Sequence, residues 1–161
     1  MQRDLVPVRL PILTFAATLT MLGGAAVQAP NVRYINPSNM AKPPGYTHVV
    51  EANGPGRTIY IAGQLGYDAA GKPGADFREQ ATLVYENLKA AIESVGGKME
   101  NIVKLNAFLT DIRAQLPIYR EVRDKFINVA APPASTTVEI PKLAREGALL
   151  EVEAIAVLPP R

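Results

Sequence analysis

The sequence predicts one α+β domain with helices gathered on one side of a mixed sheet. Two observations carry this. Leu149 to Leu158 alternates as a strand does, with Leu150, Val152, Ala154 and Ala156 on one face and Glu151, Glu153, Ile155 and Val157 on the other. Ala75 to Val95 instead repeats at steps of three and four, through Phe77, Ala81, Val84, Leu88, Ile92 and Val95, which makes one apolar helical stripe. With the remaining elements the order is β-β-α-β-α-β-β, a two-layer arrangement in which each element buries one face.

The chain has 161 residues, 48% hydrophobic and 20% charged, enough for one core of ordinary size. Its net charge of +2 is spread without a basic run, so nothing asks for nucleic acid as a partner. There is no cysteine and a single histidine, which excludes disulfides and thiol chemistry and argues against a transition-metal site or any other bound cofactor.

Residues 1–29 read as a signal peptide. Arg3 and Arg9 start it, Leu10 to Ala26 is apolar and uncharged, and small residues follow at Ala25, Ala26 and Ala29. The expected location is periplasmic or secreted, with no membrane association once the signal is removed. An uncleaved anchor is a second reading, although the run is short for a span and holds Pro11 and a Gly pair. A start at Met40 would make the protein cytoplasmic. Residues 30–45 are rich in Pro, Asn and Ser and read as an extended arm without a core, leaving 46–158 as the domain.

Within that domain Thr47 to Ala52 and Thr58 to Ala62 read as a hairpin across Asn53-Gly54-Pro55-Gly56. Asp76 and Glu79 form a capping pattern for the first helix, and Gly96-Gly97 ends it. Asn101 to Thr110 is a strand with Val103, Leu105, Ala107 and Leu109 expected toward the helices. Its opposite set, Ile102, Lys104, Asn106, Phe108 and Thr110, mixes polar and apolar side chains as an oligomer interface does. A second helix is expected over Leu116 to Val129, with Leu116, Tyr119, Val122, Phe126 and Val129 inward and Arg120, Glu121, Arg123, Asp124 and Lys125 in water. Pro132-Pro133 stops it, and Ala134 to Ile140 is β-rich.

On these residues alone no nucleophile–base constellation, phosphate loop or metal spacing stands out. His48 near a strand start is more often structural than catalytic. Glu151 on an otherwise apolar strand fits either a solvated sheet face or a carboxylate projecting into a pocket or subunit interface.

The closing stretch PASTTVEIPKLAREGALLEVEAIAV resembles the C-terminal signature of the Rid (reactive intermediate deaminase, RidA-type) proteins. Ile61 to Gln64, Asn87-Leu88-Lys89, and Val103 to Leu105 leading to Leu109-Thr110-Asp111 support the likeness, which runs from about Tyr46 to Val157. The resemblance implies a chorismate-mutase-like fold and a homotrimer with small-molecule clefts between subunits. It also implies hydrolysis of 2-imino acids to 2-oxo acids and ammonia. In the family an arginine of the closing signature clamps the substrate carboxylate, a glutamate holds the attacking water, and a tyrosine lines the cleft from across the interface. Carried onto this chain, Tyr46 matches the tyrosine, Gly63 and Gln64 match a Ser-Gly-Gln run in which Ala62 replaces the serine, and Glu151 matches the glutamate. Thr137 falls at a backbone contact. Ser135 stands where the arginine would be. Three functions follow from that departure: a Rid-type binder of an imino acid, oxo acid or neutral metabolite with weak or no deamination, a deaminase drawing its cation from elsewhere, or a non-catalytic envelope interaction protein.

Overall fold

A computed structural model describes residues 28–161. Residues 1–27 of the expected signal segment lie outside the described residues. The elements are β1 (Asn31–Ile35), β2 (Val49–Asn53), β3 (Arg57–Leu65), α1 (Phe77–Glu93), a 3₁₀ turn (Met99–Asn101), β4 (Ile102–Leu109), α2 (Ile112–Arg123), β5 (Ala134–Glu139) and β6 (Leu150–Leu158). A four-stranded sheet runs β3-β6-β4-β5, and β1 and β2 form a separate two-stranded ribbon. Within the larger sheet β4 and β5 are parallel and the other neighbours antiparallel, so the sheet is mixed.

The alternation in β6 is realised as expected. Leu150, Val152, Ala154, Ala156 and Leu158 are buried, and the residues between them are half-buried. The stripe of α1 packs on that face, with Ala81, Val84, Tyr85, Leu88 and Ile92 fully buried. Asp76 caps the helix by accepting from the Glu79 amide at 2.8 Å, while Glu79 Oε2 accepts from the Ala75 amide at 2.7 Å. Gly96, at φ +78°, ends it. Tyr85 and Tyr119 join their hydroxyls at 3.0 Å between the helices, and burial pushes both phenols above their ordinary range.

Four expectations about the strands and helix bounds differ from what is observed. The hairpin between the first two domain strands does not form: β2 pairs with β1 and β3 pairs with β6. No residue of β2 is buried, so it has no apolar side to dock on the core, and its backbone groups are satisfied by the arm instead. The arm is accordingly a strand over Asn31–Ile35, with Arg33 opposite Glu51 and bonded to it at 2.8 Å. Third, Ile102 rather than Val103 faces the core. A register shift between Ile102 and Lys104 inserts one residue, which reverses the parity before it. Last, α2 begins at Ile112, capped by the Asp111 side chain on the Ala114 amide at 3.0 Å, and ends at Arg123. Pro117 sits inside it, and Val129 lies beyond it and is exposed. The expected start at Leu116 is thus about one turn late. Here the proline costs one backbone bond near the helix start and does not break the helix.

Candidate functional site

Two amide side chains of α1 set the strand ends that carry the first half of the candidate site. Gln80 is buried; its Nε2 donates to Gly147 O at 2.9 Å and its Oε1 accepts from the Leu149 amide at 2.9 Å. That fixes the entry to β6 just before Glu151. Asn87 Nδ2 donates to Leu65 O and Tyr67 O at 3.2 and 3.0 Å, which fixes the exit of β3. Between these anchors Glu151 lies in register with Leu65 of β3 and Phe108 of β4.

Gly63 is explained by Glu151. The β3–β6 register shifts between Ile61 and Gln64, and the irregularity brings Gly63 under the carboxylate. A Cβ at Gly63 would overlap Glu151 Oε1 and lie 2.7 Å from its Cδ. Gln64 closes the bulge by donating from Nε2 to Ala62 O at 3.0 Å. Gly63→Ala should therefore turn the Glu151 side chain out of place. Because only a flexible arm must move, the cost in stability should be about 1 kcal/mol. A crystal structure and a thermal melt of the variant check both halves. An unmoved carboxylate would contradict the account.

The second half of the site lies elsewhere. Ser135 and Thr137 are in register with Leu105 and Ala107, both fully buried, so they share the helix-facing side of the sheet. They border a depression of about 250 Å³ with Pro44, Tyr46, Ile112, Leu116, Arg120 and Arg123. Tyr46 thus meets Ser135 of its own chain, where the resemblance leads one to expect a tyrosine from a neighbour. Ser135 Oγ is buried without a hydrogen-bond partner. Glu151 belongs to the opposite parity of β6, away from the helices. One chain therefore brings Tyr46, Ser135 and Thr137 together and keeps Gly63 and Glu151 apart from them.

The two guanidinium groups at the depression are ones the sequence reading put in water. Arg123 is only 5% exposed, held over the Tyr119 ring at 5.8 Å from its centroid. The missed signal is its spacing: Tyr119, Val122 and Arg123 stand at i, i+3 and i+4, on one buried stripe. Arg113 is exposed on the helix, and Arg145 stacks over Tyr67 at 4.0 Å; neither lines the depression. His48 is accounted for structurally, its amide donating to Asn36 Oδ1 and its Nε2 lying 2.9 Å from Ala41 O. Among the described residues no group of three or more His, Cys, Asp or Glu is placed to hold a metal ion.

The sheet face opposite the helices is open in a single chain. Tyr60 is 77% exposed there, beside a hollow of about 330 Å³ with Lys104, Asn106, Glu153 and Ile155. Asn106 donates to Glu153 at 2.8 Å and Lys104 to Thr136 at 2.7 Å, and burial lowers the Lys104 pKa from its ordinary value.

Fold and site together define a two-layer α+β protein of the chorismate-mutase-like type. Residues 38–158 match the family profile described as Endoribonuclease L-PSP. A RutC family protein of Aquifex aeolicus is 35% identical over 113 residues, 70% of this chain and 87% of that one. A protein of Dermatophagoides farinae named 2-iminobutanoate/2-iminopropanoate deaminase is 32% identical over 107 residues, 64% of this chain and 80% of that one. Among solved structures, YyfB from Yersinia pestis, described as of unknown function in the Rid protein family, superposes with a TM-score of 0.70 at 31% identity, covering 78% of this chain and 98% of its own. The chain belongs to the Rid family.

Proposed function

We propose that this protein is a Rid-type binder of a small metabolite, with weak or no hydrolysis of 2-imino acids, acting in clefts completed between the subunits of a homotrimer. The observation that carries the reading is Ser135. The clamping arginine of the closing signature is absent from β5, and a serine hydroxyl offers one neutral hydrogen bond in its place, about 1 kcal/mol. The separation of Glu151 from Ser135 by the sheet supports the inter-subunit part of the reading. A second copy laid on the open face of Tyr60, Phe108 and Ile155 would meet a mixed polar and apolar surface of the kind interfaces use. RNA cleavage, which the family profile's description names, is not part of this reading, because the net charge is only +2 and the lysines and arginines form no basic run.

Light scattering should give three times the chain mass, and a monomer at micromolar concentration would remove the cleft. An ammonia-coupled assay with 2-iminobutanoate should run near the uncatalysed rate; robust turnover would make the protein a deaminase that draws its cation from elsewhere. A non-catalytic envelope protein would show neither turnover nor ligand binding. Export is proposed on the charged and apolar start of residues 1–29. The cell-derived protein should begin between Val27 and Tyr34; a first residue of Met1 or Met40 would overturn export.

A further inference from the structure

We propose that the depression between α2 and β5 is a carboxylate pocket in which Arg120 and Arg123 receive a small aliphatic monocarboxylate. This rests on the reading above only in taking the ligand to be a small metabolite; it adds the ligand's charge and the residues that meet it. The first support is electrostatic. Arg123 is buried, its Nε donates to Asp124 Oδ1 at 2.8 Å, and its Nη2 lies 2.7 Å from the same oxygen. Arg120 is half-buried and has no ion-pair partner among the described residues. Two guanidinium groups against one carboxylate leave the depression positive. A burden of that sign in a partly dry site favours an anion.

The second support is steric. Gly45 holds φ +88°, and a Cβ there would come within 2.7 Å of Arg123 Nη2. The backbone before Tyr46 therefore closes over the guanidinium only because that residue is a glycine. The third is the hydroxyl of Ser135, buried and unpartnered at the same depression. Buried polar atoms without partners are uncommon, and a carboxylate oxygen would accept from this one. The remaining wall is Pro44, Ile112, Leu116 and the Tyr46 ring, with Thr137 beside Ser135, and the space is about 250 Å³. That suits a short alkyl chain behind the carboxylate better than a bare, multiply charged phosphate.

The cations supplied here come from α2, and stand across the depression from position 135 of β5, so the bound acid is held from a different wall than a β5 arginine would use. Capture without efficient turnover is the expected combination. The test is calorimetric titration of the full-length protein at low salt with butanoate, butanamide and inorganic phosphate. Butanoate should bind at least about tenfold tighter than its neutral amide, and Arg120→Met should weaken it about tenfold. Arg123→Met should weaken it further, but it also removes a buried side chain; Arg120→Met, at a half-exposed position, keeps the test open if that variant misfolds. Equal binding of butanoate and butanamide, butanoate affinity unchanged by Arg120→Met, or phosphate binding tighter than butanoate would each overturn the pocket. A monomeric protein or rapid 2-iminobutanoate turnover would sink the proposed function while leaving Arg120-dependent butanoate binding intact, so the two failures are distinguishable.

Discussion

Gly66→Ala is expected to be among the most damaging single substitutions in the domain, costing about 3 kcal/mol. A Cβ at Gly66 would stand 2.5 Å from Gln80 Cα and 2.7 Å from Gln80 O. These are backbone atoms of α1, which cannot swing aside as a side chain can. The exit of β3 must then lift from the helix. Lifting would also strain the Asn87 bonds to Leu65 and Tyr67, and the Gln80 bonds that position the entry to β6. The φ of Gly66 is not in the left-handed region, so the penalty is one of space alone. Urea unfolding of the two proteins side by side reads it as a lower midpoint at similar slope. A loss below about 1 kcal/mol would mean that strand and helix separate more easily than their packing implies.

The largest effect on chemistry is expected from restoring a guanidinium to β5. A buried bidentate contact to a substrate carboxylate is worth about 2–5 kcal/mol, roughly 30-fold to several thousand-fold in capture. Ser135→Arg should therefore raise 2-iminobutanoate hydrolysis above wild type, and Glu151→Gln added to it should abolish the gain, since no carboxylate would remain to hold the water. The new side chain would face Arg120 and Arg123 across the same depression. Like charges so placed oppose each other, so the gain should fall toward the lower end of that range. Ala62→Ser is the next addition, because a cleft hydroxyl is missing there too. Decay of the imine followed in parallel for wild type and these variants decides it. A gain that survives Glu151→Gln would remove Glu151 from the water-holding role.

Much of this architecture was legible because period reports burial. The stripe of α1 and the alternation of β6 are long, regular and unbroken by Pro, and both elements fall within a residue or two of their expected ends. Pairing was not legible to the same degree. Nothing local in Val49–Asn53 says that its partner is Asn31–Ile35 and not the strand after the next turn. Nor does local sequence fix register. Ser135 and Glu151 come to opposite faces because β5 aligns Ser135 with Leu105, and a slip of one residue would have reversed that. The same applies to Val103, whose place depends on a bulge. Arg123 was misplaced for a different reason. A charged residue in a stripe is normally solvated, and only the enclosure by Tyr119, Asp124 and Gly45 makes its burial tolerable.

The β1–β2 ribbon adds a kinetic dimension. It shares no ladder with the four-stranded sheet, and the connection between its two strands holds Thr47, whose amide and hydroxyl reach Pro133 O and Pro132 O at 3.3 and 2.6 Å. Such a ribbon can open by itself, while amides of β4 and β6 exchange only through a deeper unfolding of the core. Two populations of exchange rates should follow in one small domain. Tyr46 stands next to Thr47 at the foot of the ribbon and at the mouth of the α2–β5 depression. Filling that depression would slow deuterium uptake in the ribbon before any change reaches the sheet, so the ribbon's amides would serve as a built-in clock for occupancy.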